Sequence, residues 1–295
     1  MSNEFMGKTA IISGAAGGIG LAIAEALAEQ GMNIAMADID KAALIASGEA
    51  LQAKGYNVTT CSLDVTDYSQ WEDVVANAQD KFGKVHMVVN NAGVGGASGK
   101  IEDAEHETWR WVMDVNVTGV LYGAQACIPA IKSHGEGGWV LNVASMAGMM
   151  GMPYATAYCA SKAAVVSMTE SWIPELEPHH IHTSVLCPAF VKTRIHESYR
   201  NRQEKYAIAP DKRIDKEKLK AGANAAAMAV ESGIPTEMLA KRVIEALSSK
   251  QHYIFTHPHY RKVAMGRFKA IEAAFVDAEE SPVVGHLIDE DIITF

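Results

Sequence analysis

The chain has 295 residues, 48% hydrophobic and 21% charged, enough to bury a core without disulfides or metals and too apolar for a disordered chain. Its 26 Lys and Arg stand against 35 Asp and Glu, and the net charge of −9 argues against nucleic acid or an anionic membrane as partner. Cys61, Cys127, Cys159 and Cys187 show no CxxC spacing, no apolar run reaches the ~20 residues of a membrane span, and the first residues lack signal-peptide order, so a cytoplasmic protein is expected.

Residues 9–13 read as a buried strand, followed by a glycine-rich turn at 14–20. Ile19, Ala22, Ile23, Ala26 and Leu27 then form a helical stripe that ends at Gly31. A second strand is expected at 33–37 and a helix at 40–54, stopped by Gly55. Further strands are expected at 58–62, 85–89, 139–143 and 183–186, with helical stretches between them. A helix near 236–247, a last strand at 252–256 and a terminal helix at 258–275 complete the reading. Such alternation predicts an α/β fold, a doubly wound parallel sheet with helices on both faces in three α/β/α layers. No Pro/Gly/Ser-rich linker divides the chain, so one domain is expected over 1–295, with an insertion at 194–235 and an extension at 257–295.

Gly14, Gly18 and Gly20 are spaced GxxxGxG between the first strand and helix. Glycines there let the backbone approach a pyrophosphate, and the helix N-terminus supplies N–H donors. A turn without ligand is the plain alternative. Asp38 ends the second strand, where a carboxylate can bond the ribose hydroxyls of a dinucleotide and repel a 2′-phosphate. No Lys or Arg occurs from 14 to 39 to offset that repulsion, which favours NAD over NADP. The competing role for Asp38 is to cap the following helix.

Tyr158 and Lys162 are i and i+4 on one helical face. A tyrosine is a poor base near neutral pH, and a nearby ammonium favours its phenolate. Tyr158 could then take a proton from an alcohol or return one to a ketone. A lone YxxxK is usually two surface residues, but Ser145 follows the strand at 139–143, where functional groups gather in such sheets. Asn116 lies beside the helical stripe Met113, Val117, Val120, Leu121, Ala124 and Ile128, and an ordinary satisfied amide is its alternative reading.

With these residues in place, the chain resembles a short-chain dehydrogenase/reductase, a Rossmann-type family. The resemblance rests on Gly14, Gly18 and Gly20, Asp64-Val65, Asn90-Asn91-Ala92-Gly93, Asn116, Ser145, Tyr158 and Lys162, in family order over roughly residues 7–193. It implies cofactor contacts from Gly14, Gly18, Ile19, Gly20 and Asp38, with Asp64 and Val65 flanking the adenine. Asn90, Asn91, Ala92 and Gly93 would border the cofactor groove, and Lys162 would also bond the nicotinamide ribose. Asn116 would anchor a water that relays the proton from Lys162. Pro188 opens the family's Pro-Gly segment, with Val191 and Thr193 near the carboxamide. Two departures are visible: Ser13 replaces a threonine, and Ala189 replaces a glycine.

Met146, Met149, Met150 and Met152 crowd the segment after Ser145. Methionine adapts to irregular apolar surfaces, so a wall for a bulky apolar or aryl substrate and plain core packing are both open. Ser145, Met146, Tyr154 and Phe190 are the candidate substrate contacts. Residues 192–220 hold ten Lys/Arg against five Asp/Glu, and a lid there either attracts an anion or is a solvated, charge-mixed surface. The C-terminal stretch is similar to extended family members that oxidise bulky aryl secondary alcohols. His252, His257 and His259 lack a completing carboxylate or cysteine, and no metal is expected.

The resulting expectation is an NAD-dependent alcohol dehydrogenase or ketone reductase, acting as a homodimer or homotetramer built on the helices of Asn116 and Tyr158. The extension would strengthen or block a second interface. The alternatives are an epimerase or dehydratase of the same fold, and a non-catalytic dinucleotide-binding regulator.

Overall fold

The computed structural model describes residues 4–96, 99–208 and 227–292. The chain divides into two compact units, Met1–Thr256 and His257–Phe295.

The first unit is built on a seven-stranded sheet in the order β3-β2-β1-β4-β5-β6-β7. In chain order its strands are β1 (Thr9–Ser13), β2 (Asn33–Asp38), β3 (Val58–Ser62), β4 (Met87–Asn90), β5 (Gly138–Val143), β6 (Ile181–Cys187) and β7 (Tyr253–Phe255). Every pairing is parallel. The described helices are α1 (Gly18–Glu29), α2 (Lys41–Ala53), α3 (Tyr68–Phe82), α4 (His106–Met113), α5 (Gly119–Ser133), α6 (Met146–Met149), α7 (Thr156–Leu176) and α8 (Thr236–Ser248). The second unit holds α9 (Arg261–Glu279) and a 3-10 turn at Gly285–Asp289.

Strand residues alternate between two cores, as the period of two requires. Ile12, Ile34, Met36, Met87 and Leu141 pack on one face with Leu27, Leu44 and Leu247 of the covering helices. Ile11, Ala35, Val88 and Val140 pack on the other with Trp71, Trp111 and Ile131. Covered on both sides, these strands read as continuous apolar runs. β6 runs longer than its expected span because Gly138 and Trp139 of β5 pair back to Ile181 and His182. β4 begins later than expected and ends at Asn90, and the terminal helix continues to Glu279.

The direction of winding reverses between β1 and β4, which are neighbours in the sheet. Such a reversal opens a crevice at the carboxyl ends of the strands. Ser13, Asp38, Asn90 and Val143 end four of those strands and so share that edge. Among the described residues no helix is long and apolar enough to cross a membrane.

Candidate active site

The glycine turn takes its shape from close approach. Gly14 and Gly18 have φ of +65° and +58°, a region costly for other residues. A Cβ on Gly20 would lie 2.2 Å from the Gly14 carbonyl oxygen. Gly17 is the N-cap of α1, has no side-chain cap, and a Cβ there would meet nothing within 4 Å. The turn thus leaves open space before uncapped helix N–H groups, a fit for a pyrophosphate. Ile19 is half-buried in the first turn of α1, against the core. Gly17 escaped the sequence reading; its signal was only that it adjoins Gly18.

The loop after β4 locks this turn. Asn91 Nδ2 donates to the carbonyls of Ser13 and Gly14, each at 2.9 Å. Ser13 Oγ accepts from Asn91 N at 3.1 Å and Ala92 N at 3.2 Å. A serine hydroxyl makes these bonds as a threonine's would, so the Ser13 departure is mild. The Asn90 side chain, read from the resemblance as bordering the groove, is buried and donates to Asn142 Oδ1 at 2.9 Å. Only the Asn90 backbone can border the groove.

Asp38 does not cap α2; Asp40 does, accepting from Ala43 N. Asp38 accepts from Ala16 N at 3.0 Å and Asp40 N at 2.9 Å, tying its carboxylate to the glycine turn. Burial pushes its pKa up, and the two backbone N–H donors oppose that shift. Asp64 Oδ1 accepts from Thr66 N, Thr66 Oγ1 and, at 2.9 Å, Gln203 Nε2. Val65 is buried, and a Cβ on Gly119 would lie 2.7 Å from its Cγ2.

The proposed proton-transfer groups meet at the same edge. The Tyr158 hydroxyl hydrogen-bonds with Ser145, and burial raises its pKa. Ser145 Oγ also accepts from Ala147 N at 3.1 Å and donates to the Pro188 carbonyl at 3.3 Å. Lys162 Nζ lies 5.8 Å from the Tyr158 ring centre and donates to the Val143 carbonyl at 2.8 Å. Desolvation lowers its pKa to about 8. A Cβ on Gly93 would lie 3.3 Å from both Lys162 Nζ and Asn116 Oδ1, so glycine lets these groups flank one backbone position.

Asn116 sits in a π turn, Asp114–Thr118, between α4 and α5. Its Nδ2 donates to Val94 O and Ser161 Oγ, both at 3.0 Å, and its Oδ1 accepts from Val94 N at 2.8 Å. Both amide hydrogens are used, so the side chain fixes the loop after β4. A water relay would have to use the Asn116 main chain.

The segment at 188–193 is pinned by Gly233 and Ile234. Ile234 N donates to Phe190 O at 3.1 Å, and Lys192 N to Ile234 O at 3.0 Å. Ala189 is absent from the positive-φ residues, so its replacement of a glycine strains nothing there. Val191 is buried, and Thr193 Cγ2 would be 3.3 Å from a Cβ on Gly18. The expected substrate contacts divide. Met146 and Met149 are buried, whereas Tyr154 is 62% and Phe190 41% exposed. Tyr154 also has φ of 64°, an unusual conformation for a tyrosine.

The described part of the basic insertion finds local partners. Arg194 and Arg200 lie by Glu197, Arg202 stacks over Trp111 and Tyr199, and Lys205 donates to Thr66 Oγ1. This favours the charge-mixed surface over an anion trap; residues 209–226 of the expected lid lie outside the described residues. Among the described residues, metal-ligand spacing occurs at His86, His134 and Glu136. Both ring nitrogens of each histidine are committed to hydrogen bonds, with Thr9 N and Glu136 for His86, and with Val85 O and Glu136 N for His134.

Residues 8–204 match the family model of the short chain dehydrogenases. A dehydrogenase/reductase of CLA biosynthesis from Lactiplantibacillus plantarum is 34% identical over 91% of this chain and 94% of its own length. A trans-4-hydroxycyclohexanecarboxylate dehydrogenase from Sinomonas cyclohexanicum is 36% identical over 65% of this chain and 76% of its own. A crystal structure of a short chain dehydrogenase/reductase from Burkholderia phymatum in complex with NAD superposes with a TM-score of 0.87 at 34% identity, covering 99% of each chain. The glycine turn, the tyrosine–lysine pair and these likenesses converge, and the chain belongs to the short chain dehydrogenase family of oxidoreductases.

Proposed function

We propose that the protein interconverts a secondary alcohol and its ketone with NAD, using Tyr158 as general acid and base. The observation that carries this reading is the meeting of Ser145, Tyr158 and Lys162 at the sheet edge beside the glycine turn. Ser145 would hold the substrate oxygen, and Tyr158 would take the hydroxyl proton during oxidation or return it during reduction. Lys162, an ammonium at neutral pH, would favour the phenolate. When bound, the nicotinamide takes up or gives back the hydride. Gly14, Gly17, Gly18 and the N-terminus of α1 would hold the pyrophosphate, and Asp38 the adenosine ribose. NAD is favoured over NADP by the Asp38 carboxylate, by the lack of Lys or Arg from 14 to 39, and by the NAD complex of the Burkholderia relative.

We further propose a bulky apolar or aryl substrate bordered by Tyr154 and Phe190, with Met146 behind Ser145 as buried support. The Sinomonas relative, named for a ring alcohol that also bears a carboxylate, supports a cyclic substrate but not an apolar one. The cytoplasm and a homodimer or homotetramer through the helices of Asn116 and Tyr158 belong to the same proposal.

The test is NADH formation over a panel of aryl, cyclic and aliphatic secondary alcohols, beside Tyr158→Phe. Turnover of bulky alcohols is expected, lost by roughly 10²–10⁴-fold in the variant while NAD still binds. Activity confined to small or anionic alcohols would remove the substrate reading. NAD binding without turnover of any alcohol, or unaltered function in Tyr158→Phe, would return the regulator or epimerase readings.

A further inference from the structure

Helix α9 is exposed along nearly all of its length, with only Ala264 buried. At 1.5 Å per residue it spans about 28 Å. Ala264, Phe268, Ile271, Phe275 and Ala278 follow one another at intervals of four, three, four and three, the seam of a two-helix pair. Phe268, Ile271 and Phe275 are 43%, 41% and 67% exposed. In proteins, most of a helix's stability comes from packing its apolar face.

Its charges are also ordered. Arg261, Lys262, Arg267 and Lys269 occupy the N-terminal half, and Glu272, Asp277, Glu279 and Glu280 the C-terminal end. The helix macrodipole prefers the reverse order, acidic first and basic last. This arrangement therefore weakens the helix standing alone. It suits a neighbour of the same sequence running the opposite way.

We infer that α9 pairs antiparallel with α9 of a second copy of this chain, around a two-fold axis. In that register Ala264 faces Phe275, small against large at each end, and Phe268 faces Ile271 at the centre of the seam. Each basic half lies along the other copy's acidic half, within the Debye length. A parallel pair would set basic against basic. An anionic lipid surface is the poorer occupant, because residues 257–292 carry four Lys/Arg against seven Asp/Glu. The contact is isologous, since the same patch serves both copies.

The test uses the full chain, light scattering and native mass spectrometry. Phe268→Asp with Phe275→Asp is expected to halve the number of subunits per particle, with the thermal midpoint of the sheet-bearing unit unchanged. Two charge variants then test direction. One converts Arg261, Lys262, Arg267 and Lys269 to Glu; the other converts Glu272, Asp277, Glu279 and Glu280 to Lys. Each alone is expected to show the halved mass, and an equimolar mixture to regain the native mass. A monomeric native chain, an unchanged mass in the Phe268/Phe275 variant, or a mixture that stays small would overturn the pairing. So would binding of the native chain to phosphatidylserine vesicles with no mass change in any variant.

Discussion

Asp38 meets two opposed demands at one carboxyl. Burial disfavours its charge, while Ala16 and Asp40 offer N–H groups to the ionised form. With the folded pKa raised, its contribution to stability is present below the unfolded pKa and is lost as pH rises through the folded value. Ionised Asp38 therefore costs the free chain something at neutral pH, consistent with a residue kept for its ligand. Asp38→Asn should lower NAD affinity by roughly ten- to a hundredfold, the worth of a hydrogen bond to a charged group. Preference over NADP should shrink as well. The unfolding free energy at pH 8 should fall by no more than the loss of one neutral hydrogen bond, about 1 kcal/mol. Titration calorimetry with both cofactors checks this, and an unchanged NAD affinity would remove Asp38 from the ribose site.

In the proposed mechanism, Tyr158 and Lys162 set the pH behaviour. Burial raises the tyrosine's pKa, so near neutral pH the proton stays on the phenol, ready for ketone reduction. Alcohol oxidation needs the phenolate and should rise toward alkaline pH. Lys162, lowered to about 8, loses its ammonium in the same range and should limit that rise. Profiles of kcat/KM in both directions should thus slope oppositely between pH 6 and 9. Parallel slopes would contradict the assignment. The sequence spacing of Tyr158 and Lys162 predicts their shared face, but not these environments. Both shifts come first from burial by the residues packed around them, with a smaller upward push on the tyrosine from adjacent Cys159.

Among the elements, the π turn is the one that periodicity conceals. Met113, Val117, Val120, Leu121, Ala124 and Ile128 read as one continuous helix, and an apolar stripe tolerates a single widened turn. The structure instead divides the stretch into α4, the π turn and α5. The turn presents Asn116 to Val94, where two hydrogen bonds secure the loop after β4, and a third ties the amide to Ser161 of α7. Asn116→Ala leaves the buried Val94 N–H and carbonyl without these partners. It should cost roughly 2–3 kcal/mol in unfolding free energy and also reduce kcat, because Gly93 and Lys162 border the same loop. Denaturant melts and initial rates measured together check this; a kcat loss with unchanged stability would instead favour a direct part in proton transfer. The strands were readable because burial on both faces makes them continuously apolar. Their ends were less so, since pairing across the sheet fixes where each strand stops.

At the scale of the whole molecule, parallel alternation with crossover helices implies which edge carries the site. It does not name the neighbours within that edge. The Asn90–Asn142 bond joins positions 52 apart, and the Gln203–Asp64 bond joins positions 139 apart. No local pattern encodes such pairs, which is why the buried direction of Asn90 and the part of Gln203 emerge only from the fold. The separate unit at 257–295 is likewise set by contacts rather than by a linker composition.

The bonds from Asn91 and Ser13 to the glycine turn have a thermodynamic meaning. They fix a glycine-rich backbone, the most entropic kind of chain, before any ligand arrives. The loss of freedom is met during folding, by interactions internal to the protein. Dinucleotide association then carries no ordering penalty at the turn, and its affinity reflects direct contacts more fully. The turn behaves as a rigid mould, whose shape is a property of the β1–β4 junction and not of its occupant.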